Sequence, residues 1–76
     1  MAGSHVMTAP LRPLPRLKQL AREINVTVPT LARVIGRSET YFRKRWNADT
    51  YLLDLPGEEI ETLARFFGVP ASELGG

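Results

Sequence analysis

Three segments of this 76-residue chain carry apolar residues at the same spacing, and this repetition limits the fold more than any other feature. Residues at i, i+3, i+4 and i+7 line one face of an α-helix, so each segment predicts an amphipathic helix packed on a core. The three stripes are Leu17, Leu20, Ala21 and Ile24; Val28, Leu31, Ala32 and Ile35; and Ile60, Leu63, Ala64 and Phe67. Outside residues 50–55 the chain shows no strand-like alternation, which predicts an all-α fold.

Capping residues divide the middle of the chain into two short helices. Thr27 is suited to begin one helix, because its hydroxyl can accept from free amides of the next turn. Gly36 is suited to end that helix in the left-handed conformation. Ser38 can then cap a further helix of about residues 39–47. The sequence therefore predicts a turn of about three residues between these two helices.

The helix of residues 39–47 and the end of the chain complete the predicted bundle. Phe42 and Trp46 are four residues apart, so they should anchor one face of their helix in the core. A further helix is expected from about Pro56 to Phe67, followed by one short helical turn at residues 71–74. Together these segments predict a compact bundle of four to five helices.

The chain ends are expected to lie outside this bundle. The prolines at positions 10, 13 and 15 predict an extended arm, because proline disfavours a helix interior. Gly3, Ser4 and His5 resemble the remnant of a cleaved expression tag. The predicted organisation is a tag remnant at 1–6, a proline-rich arm at 7–15, the helical domain at 16–74 and a tail at 75–76.

Composition weighs against several classes of protein. There is no cysteine and only one histidine, so we expect no disulfide, no metal and no cofactor. There is no glycine-rich phosphate loop and no basic set around the carboxylates, so we expect neither an enzyme nor a small-molecule substrate. No apolar run approaches the roughly 18 residues that span a bilayer, which predicts a cytoplasmic protein without a membrane partner.

The charges are distributed unevenly along the chain. Residues 1–47 hold nine basic and two acidic residues, a net charge of +7, whereas residues 48–76 hold one basic and six acidic residues, a net charge of −5. Such asymmetry indicates a face that binds a polyanion. Arg12, in the expected arm, and Arg16, where that arm meets the first helix, are candidates for contacting a phosphate backbone, and a disordered tail is the equal alternative for the arm.

The central segment has the residue types of a DNA-binding helix-turn-helix. That motif needs a small buried residue, a turn glycine and an apolar anchor in the second helix, and Ala32, Gly36 and Phe42 meet these needs. From Leu17 to Leu74 the chain resembles the Cro/C1-type helix-turn-helix family (the XRE family) of phage and bacterial repressors. The resemblance is carried by Leu31, Ala32, Ile35, Gly36, Ser38, Phe42 and Asn47, and by IETLARFFGV followed by PASEL.

The resemblance implies a lambda-repressor-like fold and sequence-specific binding of double-stranded DNA by a transcriptional regulator. The helix of residues 39–47 would enter the major groove, and the implied base contacts are Ser38, Glu39, Thr40, Arg43 and Lys44. Arginine and lysine suit guanine, glutamate suits cytosine, and threonine offers a hydroxyl and a methyl group. Glu39 has an equal alternative role, in which it only complements the helix dipole.

Phosphate contacts are expected from residues around this helix and at the start of the preceding one. The expected set is Thr27, Thr30, Arg33, Arg37, Tyr41 and Arg45.

Three other interpretations remain open at this stage. The chain could be a protein-docking or dimerisation module, although the basic run of residues 43–45 argues against an apolar contact. It could be an excisionase-like winged domain, which would need a β-hairpin after Asn47. A homodimer is also possible, and Leu52, Leu53 and Phe66 are the apolar residues not used elsewhere.

Overall fold

The computed structural model describes residues 12–48 and 51–75, and this part of the chain is helical with no strand. The predicted all-α class is therefore confirmed. Residues 51–55, where an excisionase-like hairpin would begin, contain no strand. The elements are α1 (Pro13–Ile24), α2 (Val28–Val34), α3 (Glu39–Trp46), α4 (Gly57–Phe67) and a closing 3₁₀ helix (Ala71–Leu74).

Helix α1 begins at Pro13, three residues before the predicted start, so the expectation of an extended arm is wrong for residues 13–15. The first turn of a helix has no intrahelical use for its backbone N–H groups, so Pro13 and Pro15 cost little there. Leu14 lies between them, is buried, and donates its backbone N–H to the carbonyl of Tyr51 at 3.0 Å. Residues 1–11, with the expected tag remnant and the rest of the arm, lie outside the described residues.

The core lies where the helices meet around Phe42. Helix α2 packs against α3 and α4, and the closing 3₁₀ helix packs against α1 and α4. All three predicted stripes contribute to this core, although Ile24, at the end of α1, is 54% exposed. The core residues are Leu14, Leu17, Leu20, Ala21, Leu31, Ala32, Phe42, Leu53, Leu55, Ile60, Leu63, Ala64 and Leu74.

The ends of α2 and α3 follow the capping residues, with one difference. Ser38 caps α3, because its Oγ accepts from the backbone N–H of Tyr41 at 3.1 Å. Gly36 has φ 72°, the left-handed conformation expected after α2. Thr27 precedes α2 as expected, but its hydroxyl accepts from no amide and lies 3.2 Å from the hydroxyl of Thr30 instead. The predicted cap at Thr27 is therefore correct in position and wrong in its hydrogen bond.

None of the helices in residues 12–48 and 51–75 combines the length and the apolar character needed to cross a membrane.

Candidate nucleic-acid interface

The rotation of α3 is fixed by two aromatic residues on its inner side. Phe42 is fully buried, and its ring centroid lies 6.0 Å from that of Trp46, which is partly buried against the core. The pairing of residues i and i+4 on one face therefore agrees with the predicted anchor. Because this side of α3 is held in the core, the opposite side must face outwards.

The outward side of α3, which we call the α3 face, consists of Glu39, Thr40, Arg43, Lys44 and Asn47. These five residues line one shallow, open depression on the surface. Four of them were predicted as base contacts, so the structure brings most of that set together. The fifth predicted residue, Ser38, is exposed at the start of α3, but its Oγ is engaged in the cap.

Asn47 was not predicted as a contact residue. The signal was present in the sequence, because residues 39, 43 and 47 follow one another at i+4 along the same helical side. An asparagine amide offers both a donor and an acceptor, which suits it to recognition of a base edge.

Glu39 and Arg43, both predicted to contact bases, are bonded to each other. The Nη2 of Arg43 donates to Oε2 of Glu39 at 2.5 Å, one helical turn away. Both side chains are about half exposed, and such a surface ion pair contributes little to stability. The contact gives Glu39 a role that the sequence did not indicate, which is to orient the Arg43 guanidinium.

Arg37, a predicted phosphate contact, is held by α4. Its Nε donates to Oε2 of Glu59 at 2.5 Å, and its guanidinium carbon lies 4.6 Å from the ring centroid of Tyr41. The hydrogen bond to Glu59 raises the pKa of Arg37 above its ordinary value, with a smaller contribution from the opposite charge of Glu59.

Arg45, another predicted phosphate contact, is directed back onto the protein. Its Nε donates to the backbone carbonyl of Asp54 at 3.1 Å, and its Nη1 donates to the carbonyl of Tyr41 at 3.3 Å. Its guanidinium carbon also lies 3.8 Å from the Tyr41 ring centroid. These contacts connect α3 to the segment that follows it, which is a structural role in the free protein. Tyr41, also a predicted phosphate contact, lies on α3, packs partly buried against the core and has the guanidinium groups of Arg37 and Arg45 over its ring.

The other predicted phosphate contacts lie on or beside α2. Thr27 and Thr30 are adjacent at its start, and Arg33 is exposed without an ion-pair partner among the described residues. Arg16, suggested as a backbone contact, is instead paired with Glu73 at 2.7 Å. Two ion pairs, from Arg16 and from Arg37, thus connect the basic half of the chain to its acidic half.

The described residues hold no cluster of three or more histidine, aspartate or glutamate side chains that could bind a metal ion. The α3 face itself offers two cationic side chains, one amide, one hydroxyl and one carboxylate, all of which can form hydrogen bonds.

Comparison with known proteins does not assign a function to the α3 face. No protein-family model matches the chain, and no curated protein is significantly similar to it.

Proposed function

We propose that the chain binds double-stranded DNA in a sequence-specific manner, with α3 in the major groove, and that it acts as a transcriptional regulator. The observation that carries the proposal is the α3 face. Five side chains able to hydrogen-bond project from one side of a helix whose other side is anchored by Phe42 and Trp46.

The dimensions of α3 suit this role. Its eight residues correspond to a length of about 12 Å, and a helix with side chains is about 10–12 Å in diameter. The major groove of B-form DNA is about 12 Å wide, and base pairs repeat every 3.4 Å or so along each strand. A helix of this size can therefore contact a short run of three or four base pairs.

The side chains of the α3 face match the hydrogen-bonding groups of base edges. Arg43 and Lys44 suit the O6 and N7 acceptors of guanine, and Asn47 suits the N6 and N7 groups of adenine. Thr40 can contact a thymine methyl group. Glu39 either accepts from cytosine N4 or holds Arg43 towards a guanine, and its hydrogen bond with Arg43 supports the second role.

The surroundings of α3 support a helix-turn-helix. Ala32 is buried where α2 packs against α3, Gly36 takes the left-handed conformation between them, and Ser38 caps α3. On the strength of the sequence resemblance we further propose a relationship to the Cro/C1-type family, a role as a repressor of phage or bacterial type, and a cytoplasmic location.

A docking or dimerisation module is the second candidate. Two observations favour it. Arg37 and Arg43 are paired with carboxylates, which reduces the positive charge presented to DNA, and Arg45 is directed onto backbone carbonyls. Ile24 and Phe66, 54% and 42% exposed, are apolar groups that a protein partner could cover.

Selection of binding sites from a random duplex library at low salt tests the two candidates. DNA binding through α3 predicts enrichment of a short motif, containing guanine, that is lost when the selection is repeated with Arg43→Ala. Arg65→Ala, a change of equal charge on α4, is the control and should select the same motif. Two inverted copies of the motif would indicate that a dimer binds. A library without enrichment, from protein shown to be folded by circular dichroism, would contradict the proposal.

A further inference from the structure

Two cations on α1 and at its start lie over aromatic rings and not beside carboxylates. The Lys18 Nζ is 5.5 Å from the ring centroid of Trp46, and the Arg12 guanidinium carbon is 5.4 Å from the ring centroid of Tyr51. Arg22 follows Lys18 by four residues and is exposed on the same side of α1. We call Arg12, Lys18 and Arg22 the α1 strip.

The position of the strip follows from the packing of α1. Leu17 and Ala21 are buried in the core, and Lys18 and Arg22 each come one residue later, so they lie on the flank of α1 next to its buried side. The hydrogen bond between Leu14 and Tyr51 holds the Tyr51 backbone beside the first turn of the same helix. Lys18 and Arg22 therefore lie along one flank of α1, and Arg12 lies beside Tyr51 at the start of the same helix.

The strip adjoins the α3 face through Trp46. Trp46 follows Arg43 by three residues on α3, so the two are neighbours along that helix, and Asn47 comes directly after Trp46. The Lys18 ammonium lies over the ring of Trp46, so it is next to a residue that neighbours Arg43 and Asn47 of the α3 face. Cationic groups thus continue from α3 onto α1.

The α1 strip also differs from Arg16 and Arg37 in its partners. Across residues 12–48 and 51–75, no carboxylate lies within ion-pair distance of Arg12, Lys18 or Arg22, in contrast to Arg16 and Arg37. A phosphate can approach the strip without displacing a carboxylate. The ring contacts also restrict Arg12 and Lys18 in advance, which reduces the entropy lost on binding.

We propose that the α1 strip binds the phosphate backbone of the duplex whose major groove α3 occupies, an inference that rests on the function proposed above. A cation at the edge of a helix in the groove meets the strand that borders the groove, and a contact with phosphate is independent of sequence. Continuity with the α3 face identifies the partner as this duplex, in preference to an anionic membrane surface. The strip adds to affinity, and the α3 face supplies specificity.

Salt titrations of three single variants and one double variant test the proposal. Lys18→Ala, Arg22→Ala and Arg65→Ala each remove one positive charge, and Arg65 is likewise exposed without a carboxylate partner in the part of the chain described. Fluorescence anisotropy with a labelled random duplex gives the slope of log K against log salt concentration. Each strip variant should reduce that slope by about 0.9 and the double variant by about 1.8, with Arg65→Ala unchanged.

The ratio of affinities for the selected and random duplexes should stay the same in the strip variants, because phosphate contacts carry no sequence information. Lys18→Ala also removes the stem packed on Trp46, so Lys18→Gln, which keeps most of the stem, is measured beside it. The two substitutions should give equal slopes. A thermal melt by circular dichroism shows whether each variant is folded.

The outcomes separate this inference from the proposed function. One outcome is that Arg43→Ala loses specificity while the double variant Lys18→Ala/Arg22→Ala has the same slope of log K against log salt concentration as Arg65→Ala. In that case the α1 strip is not a phosphate contact and the proposed function stands. Loss of binding to phosphatidylserine vesicles in the double variant, with an unchanged DNA slope, would assign the strip to a membrane and overturn the proposal. If the parent binds no duplex, both proposals fail.

Discussion

Arg37, in the turn before α3, donates from Nε to Oε2 of Glu59 in the first turn of α4, at 2.5 Å. The Glu59 side chain is only 13% exposed, and its other oxygen, Oε1, is buried without a hydrogen-bond partner in the described structure. Arg37 is therefore the side chain that compensates this carboxylate. This ion pair connects the start of α3 to α4 and so helps to set the direction in which the α3 face points.

Arg37→Ala should lower the free energy of unfolding, because it leaves the Glu59 carboxylate mostly buried and without a counter-charge. Glu59→Gln in the Arg37→Ala background should recover part of the loss, since the amide carries no charge to bury. Urea unfolding of the two single variants and the double variant gives the coupling energy between the positions. A double variant no more stable than Arg37→Ala would contradict this role for the ion pair.

The raised pKa of Arg37 determines how the difference in stability between the parent and Arg37→Ala depends on pH. The pKa of Arg37 is raised in the folded state by the hydrogen bond to Glu59, so its contribution is present below the unfolded pKa and is lost only as pH rises through the folded pKa. A free arginine side chain is already protonated throughout the ordinary pH range. The difference in stability between parent and Arg37→Ala should therefore be constant from neutral pH to about pH 10, and should shrink with added salt.

Most of the fold could be predicted because its signals are local. Ser38 and Gly36 marked the start of α3 and the end of α2, since a cap acts on the amides or carbonyls of its own turn. The start of α1 could not be predicted in the same way. Pro13 and Pro15 disfavour a helix interior but are compatible with a first turn, and only the burial of Leu14 against the rest of the domain decides between the two.

The candidate site was predictable in most of its membership and not in its bonding. The resemblance to the Cro/C1-type family implied Glu39, Thr40, Arg43 and Lys44 as base contacts, and it did not imply Asn47. The partner of Arg37 is 22 residues away and that of Arg45 is a backbone carbonyl nine residues away. Such contacts depend on how helices and loops pack, which a pattern within one helix does not determine.

Gly36→Ala should destabilise the domain through the backbone alone. Gly36 has φ 72°, and nothing lies within 4 Å of the position that a Cβ would occupy, so no steric clash is introduced. The cost is that of placing an L-residue in the left-handed region, about 1–2 kcal/mol. Gly36→Asn should cost less, because asparagine tolerates this region, as Asn25 does here at φ 63°. Urea midpoints of the two variants provide the measurement, and equal midpoints would exclude a backbone origin.

Ala32→Leu should destabilise the domain through packing. Ala32 is 2% exposed where α2 meets the core, and extra methylene groups in a closely packed site typically cost about 1–3 kcal/mol. Arg33→Leu, at the next and exposed position of α2, controls for the effect of leucine on the helix itself and should change stability little. A thermal melt in which Ala32→Leu matches the parent would show that α2 does not approach its neighbours closely at this residue.

Arg43 and Arg45 are two residues apart on α3, and their substitution by alanine should have opposite consequences. The Arg43 side chain is exposed, and among the described residues it is hydrogen-bonded only to Glu39. Arg43→Ala should therefore leave the thermal melt unchanged and reduce the preference for the selected DNA site, by about 1–3 kcal/mol if a guanine contact is lost. Arg45 donates to the Asp54 carbonyl and lies over the Tyr41 ring, so Arg45→Ala should lower stability by about 1 kcal/mol and leave the sequence preference intact.

Both variants lose one positive charge, so a general electrostatic effect on DNA binding would appear equally in both. If Arg45→Ala alters the selected motif and Arg43→Ala does not, then the DNA-reading side of α3 is not the α3 face, and the reading surface must be reassigned to the side that carries Tyr41.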